Sequence, residues 1–339
     1  MVIESIWLKE RDSLDTIAYD VLVMVTPMDF NRVECLYDRL VQYLPVRKIL
    51  FVGSEEVGRL VEKCKKNCSL TKEYIDKMVF LPEDNILTFA NVHAVMMDAL
   101  KDVLKGSELP RGITGWYYQQ FLKMNYANFC GDEYYLVWDG DTVPCKPFSM
   151  FREGTEVPYL DLKTEHHEEY FETLQKLLPG MRKCIQKSFI AEHMLMKSDI
   201  MKDLIKTIES NDAIEGSAFW EKIIHAIDAD KLMSNSFSEF ETYGTFVCFR
   251  HQNAYRLRDW HSFRYGGEFF EMDQISEDDY QWLGRDFFAI SFEKGHFVRE
   301  DHRNLFNNKY YQEKLSARQM LEICQQEFGE GSYQEVWDT

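Results

Sequence analysis

No stretch of this 339-residue sequence approaches the roughly 20 consecutive apolar residues that a membrane-spanning helix requires, so no transmembrane segment is expected. The N-terminus, MVIESIWLKERDSLD, lacks the basic-then-apolar layout of an export signal. Positive charge is also scarce: 39 Lys and Arg stand against 57 Asp and Glu, for a formal net charge of −18. That balance argues against general binding to nucleic acid or to an anionic membrane surface, since both are polyanions. The eight cysteines lack the regular spacing of a disulfide framework. Reduced thiols are therefore expected, in a protein that is cytoplasmic or peripheral at the inner face of a membrane. Cys64 and Cys68 in CKKNC lie one helical turn apart, but zinc would need further ligands and none is evident nearby. Low-complexity linkers and internal repeats are missing too, so one continuous domain is the simplest account.

What is present fits a folded globular chain, 45% hydrophobic and 14% aromatic. YDVLVMVTP, from Tyr19 to Thr26, reads as a first buried strand. NRVECLYDRLVQYL then carries Val33, Leu36, Tyr37, Leu40 and Leu44 at helical spacing. RKILFVG is a second strand, followed by Ser54 as cap of a helix with Val57, Leu60, Val61 and Cys64 on its apolar side. KMVFLPE is a third strand and NVHAVMMDALKDVL another helix. Strands alternating with helices predict an α/β fold with a mainly parallel sheet. Ligands of such sheets bind beyond the carboxyl ends of the strands, where VTPMD and WDGD both lie. TGWYYQQFLKMNYANF reads as a helix capped by Thr114, with Trp116, Gln120 and Lys123 on one face and Lys123 able to reach a phosphate. Further on, EVPYLDL and KSFIAEHMLM read as strands, KSDIMKDLIKTIES as a helix capped by Ser198, and DDYQWLGRDFFAISFEKG as holding a last strand. NKYYQEKLSARQMLEICQQEFG is helical.

YYLVWDGDTVPC raises the chemical question. Asp139 and Asp141 follow an apolar strand, separated by one glycine. Two like charges this close are costly unless a cation, a proton or a hydrogen-bond donor offsets them. A plain Asp-Gly turn is the simpler account. Oxygen ligands of this kind suit Mn2+ or Mg2+, and such ions keep open positions that substrate phosphates fill. Gly140 would let a ligand approach the backbone closely. In SEFETYG, Ser238 to Glu241 fits a capping box, which gives Glu241 a structural task. Glu239 then sits in the first turn, where the helix dipole favours the ionised form suited to a general base. His193 on an apolar strand is the pattern of an ordinary core histidine.

Taken in order, MVTPMD, GWYYQQFLKM, YYLVWDGDTVPCKPF, FIAEHMLM and SEFETYG resemble glycosyltransferases of the GT-A fold. Within them they resemble a little-characterised bacterial group associated with surface polysaccharide synthesis. The resemblance runs from about Tyr19 to about Phe292. It implies a GT-A-like, Rossmann-type, mainly parallel sheet flanked by helices over residues 1–300, with a C-terminal helical extension over 301–339 packed on the same domain. It implies metal-dependent transfer of a sugar from a UDP- or GDP-linked donor to a glycan, a lipid-linked glycan or another hydroxyl acceptor. Carried over, Asp141 would ligate Mn2+ or Mg2+, and Asp139 would contact the metal or the ribose. Thr26, Pro27 and Asp29 would line the nucleotide pocket, bordered by Trp116, Gln120 and Lys123. His261 in DWHSF would complete the metal site, with His296 as its rival. Glu239 would be the base, with Glu241 as the alternative. His193, Glu192 and Trp260, with Phe263 beside them, would serve the acceptor.

Three other readings compete. DGDTV also matches the Asp-x-Asp-x-Thr/Val pattern of haloacid-dehalogenase-type phosphatases, with Asp139 as nucleophile and Asp278 and Asp279 as a late acidic pair. That motif normally ends the first strand of its domain, whereas several βα units come first here, and Ser276 looks like a helix cap ahead of the pair. A nucleotidyltransferase usually carries a Gly-rich basic loop near the N-terminus, which VTPMDFNR is not. A glycan-binding protein without catalysis would show no metal dependence and no affinity for nucleoside diphosphates.

Overall fold

A computed structural model of the protein describes residues 17–33, 37–66 and 70–328. The strands, in chain order, are β1 (Tyr19–Met24), β2 (Val46–Gly53), β3 (Met78–Pro82), β4 (Tyr134–Trp138), β5 (Thr142–Pro144), β6 (Tyr159–Leu162), β7 (His193–Lys197), β8 (Arg256–Asp259), β9 (Ser262–Phe263) and β10 (Ala289–Ser291). Five of them form the central sheet in the order β3-β2-β1-β4-β7. The first four run parallel and β7 is antiparallel to β4. Parallel strands need crossover helices, and these cover both faces, which is why β1 and β4 are apolar almost throughout. Alternate residues divide between two cores. Leu22, Val52 and Val137 pack with the helices Phe89–Ala99, Arg111–Asn125, Ser198–Glu209 and Glu239–Arg250. Val21, Val23, Phe51, Leu136 and Trp138 pack with Leu40, Val57 and Val61 from the helices Asp38–Tyr43 and Glu55–Cys64. The α/β class and the mainly parallel sheet flanked by helices are as expected.

A second, smaller sheet has three strands, in the order β5-β10-β9. β10 pairs antiparallel with β5 and parallel with β9. The helices Glu300–Phe306 and Ala317–Phe328 pack Phe306, Ala317, Met320 and Leu321 against Val143, Phe263 and Ile290 of these strands. β6 and β8 form a separate parallel pair.

Several local expectations are corrected. Thr114 does not cap its helix, which begins at Arg111 after Pro110. Thr114 lies inside the helix, buried, with its hydroxyl 2.8 Å from His93 Nδ1. KSFIAEHMLM is extended only from His193 onward, because Glu192 adopts a left-handed conformation (φ 56°) that breaks the run. Lys197, not Ser198, is the cap of the following helix. The Ser198 hydroxyl instead donates to the Asp132 carbonyl at 2.7 Å. Leu36 and Cys68 lie outside the described residues.

Candidate active site

β1 and β4 are neighbours in parallel register, so VTPMD and WDGD emerge side by side at one edge of the sheet. The Asp-Gly-Asp turn lies against the end of β1. The Tyr37 hydroxyl donates to the Gly140 carbonyl at 2.7 Å. A Cβ at Gly140 would stand 3.1 Å from the Tyr37 hydroxyl and from Val25 Cγ1, and 3.2 Å from the Met24 carbonyl oxygen. The glycine therefore admits the protein's own strand end, not a ligand. Thr26 and Asp29 open the helix Pro27–Val33 together. The Asp29 N–H donates to Thr26 Oγ1 at 3.3 Å and the Thr26 hydroxyl donates to Asp29 Oδ2 at 2.5 Å. Pro27 sits at the first helical position, where its missing N–H costs nothing.

The helix Arg111–Asn125 supplies the centre of the site. Lys123 Nζ donates to Asp139 Oδ1 at 2.9 Å and to Glu239 Oε1 at 2.8 Å. The Lys123 and Glu239 side chains are each 5% exposed and Asp139 is 34% exposed, so the ammonium is committed to the two acids and not free for a phosphate. Burial pulls the Lys123 pKa down, but the two carboxylates outweigh it and hold the pKa above its usual value. Gln120, one turn earlier, accepts the Glu239 backbone N–H at 3.0 Å. Trp116 is half-buried and packs edge-on against Tyr117 at 4.9 Å.

Glu239 and Glu241 have different surroundings. The Glu241 N–H donates to Ser238 Oγ at 3.2 Å, which is half of a capping box. The other half is missing, because the Glu241 carboxylate turns to the Ser188 hydroxyl at 2.8 Å and the Phe189 N–H at 3.0 Å. Among the described residues its Oε1 is buried without a hydrogen-bond partner, and burial raises its pKa. Glu239 alone joins the acidic turn.

Asp141 is half-buried, and its carboxylate accepts a long hydrogen bond from Thr142 Oγ1, at 3.3 Å, and one from its own backbone N–H. Burial, then the charges of Asp139 and Glu293, push its pKa up to about 7. Glu293 is reached across β10, where the Phe292 N–H donates to the Asp141 carbonyl at 2.8 Å. Lys294 pairs with Asp29 at 3.0 Å, so this segment spans the two loops. Arg264 anchors Glu293 at 2.7 Å and Glu165 at 2.6 Å. The sequence reading missed Glu293, Arg264 and Lys163. None lies in a recognisable motif, and only the pairing of β10 brings the first two beside the turn.

The proposed acceptor residues are placed elsewhere than expected. Glu192 is buried, its carboxylate held by Lys163 at 3.2 Å and by the Ser262 hydroxyl at 3.0 Å. Its carbonyl accepts the Asp139 N–H at 2.9 Å, so it braces the acidic turn from below. A non-glycine residue in the left-handed region is a strained position of the kind that persists at functional sites. His193 is in the core, with Nε2 2.8 Å from Asp161 Oδ2 and its ring between Trp138 and Trp260, at 5.1 and 4.3 Å. Trp260 is itself buried and stacked on Phe288 at 4.8 Å, and Phe263 is buried among Phe269, Phe287 and Phe306. None of these three reaches a surface that a sugar could meet.

His261 and Asp141 are not brought together. The His261 carbonyl accepts the N–H of Phe288, just before β10, whereas the Asp141 carbonyl accepts that of Phe292, four residues later and just past its end. That is about 13 Å at about 3.3 Å per residue. Burial and then Arg318 depress the His261 pKa. His296 follows β10, stacked on Tyr265 at 5.4 Å, with Nδ1 buried and without a hydrogen-bond partner among the described residues. Among the described residues no three His, Cys, Asp or Glu side chains converge to hold a metal ion. Asp278 and Asp279 open the helix Glu277–Leu283, where Ser276 and Asp279 form a capping box, so this late acidic pair is not at a strand end.

A family model matches residues 23–308, that of DUF6492, a family of unknown function. No curated protein matches. Among solved structures the chain is similar to mouse xyloside xylosyltransferase 1 in its apo form, at 11% identity, with 84% of this chain and 100% of that chain covered and a TM-score of 0.41. It is similar to the apo form of the glycosyltransferase GlyE of Streptococcus pneumoniae at 11% identity, covering 92% of this chain and 64% of that chain, with a TM-score of 0.34. It is also similar to the galactosyltransferase LgtC, solved with donor and acceptor sugar analogues, at 10% identity over 87% and 96% of the two chains and a TM-score of 0.38. Likenesses at these identities and scores carry no residue's role across.

Proposed function

The chain belongs to the DUF6492 family, and for it we propose metal-dependent transfer of a sugar from a nucleoside-diphosphate donor, UDP- or GDP-linked, to a hydroxyl acceptor. The observation that carries this reading is the charge imbalance at the Asp-Gly-Asp turn. Asp141 is half-buried and pressed by two further acids, Asp139 and Glu293, at the carboxyl edge of a parallel sheet. Two adjacent carboxylates fit Mn2+ or Mg2+ bound with open positions for a diphosphate. Asp139 and Asp141 would hold the ion, with His296 the remaining histidine candidate. The ion, when bound, offsets negative charge on the departing diphosphate.

The chain's own residues do the rest. Thr26, Pro27 and Asp29 border the turn and would flank the nucleotide. Lys123 fixes Asp139 and Glu239 relative to each other, and Gln120 fixes the Glu239 backbone. Glu239 would take the proton from the acceptor hydroxyl as it attacks the anomeric carbon. Glu241, bound to Ser188 and Phe189, serves the scaffold. The acceptor we propose is a glycan or lipid-linked glycan of surface polysaccharide synthesis, on the likeness of the sequence segments named above.

Titration calorimetry of UDP or GDP with Mn2+ tests the reading. Asp141→Asn keeps the fold, removes one charged oxygen ligand and loses most of the metal-dependent affinity. Equal affinity in variant and wild type would sink the assignment.

A further inference from the structure

Among the described residues the non-glycine positions with positive φ are Lys105, Glu192 and Asn235. Lys105 and Asn235 are exposed and end short helices, where a left-handed residue commonly closes the last turn. Glu192 ends no helix. It is buried and stands directly before β7. The register that pairs Trp138 with His193 sets it opposite Asp139. Its carbonyl accepts the Asp139 N–H at 2.9 Å, one rung beyond β4, just where the acidic turn begins. The carboxylate is fixed from the far side. Ser262 Oγ lies 3.0 Å from both of its oxygens, and Lys163 Nζ donates to Oε1 at 3.2 Å and to Ser262 Oγ at 2.7 Å. Lys163 and Ser262 are themselves buried, and Arg264 Nε adds a longer ion pair at 3.8 Å. Upstream, Ser188 and Phe189 are tied to Glu241. The segment from Ser188 to Glu192 thus runs, held at both ends, from the helix that carries Glu239 to the turn that carries Asp139.

We propose that Glu192 is a positioning residue for the donor site, an inference that rests on the function proposed above. Its anchored carboxylate holds the left-handed backbone. The carbonyl so presented fixes the Asp139 amide, and with it the direction in which Asp139 and Asp141 leave the sheet. Glu192 acts through Asp139 and touches neither metal nor sugar. A side chain at φ 56° crowds its own backbone, a cost that glycine escapes. Released from Lys163 and Ser262, a residue with a Cβ relaxes towards negative φ and its carbonyl turns away from Asp139. A glycine can stay. Glu192→Ala and Glu192→Gly lose the same carboxylate and leave Lys163 equally without its acid, so the difference between them isolates the backbone. At most buried positions glycine is the worse of the two. At this one it should be the better.

Amide exchange is followed by NMR in isotope-labelled protein without ligand, and affinity for UDP or GDP with Mn2+ by calorimetry, both at equal folded fraction. In Glu192→Ala the Asp139 amide should exchange roughly tenfold faster or more, with Leu136 in β4 unchanged. Mn2+-dependent nucleotide affinity should fall by roughly tenfold or more, as when a group that orients a metal ligand is removed. Glu192→Gly should restore most of both. Wild-type Asp139 exchange in Glu192→Ala, or a glycine variant no better than the alanine one, would overturn the positioning role. So would faster exchange with unchanged affinity. Wild type that binds no nucleotide with Mn2+ would sink the donor site itself, and the ligand-free exchange would still decide whether Glu192 holds Asp139. If Glu192→Ala does not fold, Ser262→Ala removes the hydroxyl and leaves the ion pair. Exchange and affinity should then shift the same way by less, and no shift would overturn the anchor.

Discussion

Two buried polar clusters flank the paired strands β4 and β7, and their charges close differently. In one, Asp161 accepts two hydrogen bonds from Arg258, at 2.6 and 2.8 Å, and lies 2.8 Å from His193 Nε2. Burial works against the Asp161 carboxylate, but Arg258 and His193 outweigh it and hold its pKa below the usual range. Trp138 and Trp260 wall off the histidine. In the other, one ammonium, Lys123, serves both Asp139 and Glu239, and among the described residues Asp141 beside them forms no salt bridge and is pressed by the charges of Asp139 and Glu293. Buried charge is tolerated when it is paired and hydrogen-bonded. The balanced cluster is scaffold. The unbalanced one sits at the sheet edge with negative charge in excess, which is the arrangement a metal-bound diphosphate would complete.

The largest effects should come from unbalancing each cluster. Lys123→Met leaves the buried Glu239 and the partly exposed Asp139 together without a cation, and Asp161→Asn leaves Arg258 without its carboxylate. Each should cost roughly 3–5 kcal/mol in urea unfolding. At equal folded fraction only the Lys123 variant should lose Mn2+-dependent nucleotide binding. Loss of binding in both would erase the distinction between the clusters. Next in size is the base. Glu239→Gln should slow single-turnover transfer by roughly 10²–10⁴-fold with donor binding nearly intact. Glu241→Gln keeps an acceptor oxygen for Ser188 and Phe189 and should transfer at close to the wild-type rate. If the two variants exchange behaviour, the helix is correctly assigned and the residue is not.

Stability against pH should separate the clusters further. In metal-free protein the Asp141 pKa, about 7, lies above its ordinary value of 3.8. The folded state then holds the proton more tightly. Its contribution is full below about pH 4 and is lost as pH rises through about 7. Asp161 works the other way, since its lowered pKa gives stability above its ordinary 3.8 that is lost as pH falls through the folded value. Urea midpoints of wild type and Asp141→Asn between about pH 5 and 8 should differ in slope, with the variant flatter. An identical slope would show that Asp141 is not the uncompensated group. The smallest effect is expected from Gly140→Ala. Its Cβ would press on Tyr37 and Val25 at 3.1 Å and shift the acidic turn, at a cost of about 1 kcal/mol in melting experiments and with weaker donor binding. Nucleotide affinity unchanged from wild type would mean that the turn is not the donor site.

The local periodicity of the chain was enough to identify β1 to β4, the helices between them, and the shared edge of VTPMD and WDGD. Strand and helix patterns repeat within a few residues, and parallel βα units bring their carboxyl ends to one side whatever the side chains are. The acidic pair and the glutamates of SEFETYG were visible for the same local reason. What each residue meets across space was not. Helical spacing put Lys123 and Gln120 on one face, but only the packing of Arg111–Asn125 against Glu239–Arg250 turned that face towards Glu239 and Asp139. The choice between Glu239 and Glu241, both in one helical turn, depended on the rotation of that helix, which no short motif encodes. His193 and Trp260 became core, and His261 lost its place beside Asp141, through the register of β10 and the pairing of β6 with β8. Register is a property of two distant segments at once, and a one-residue slip exchanges the faces of every side chain. Tertiary packing alone therefore decided which carboxylate was paired with a cation and which was pressed by other acids.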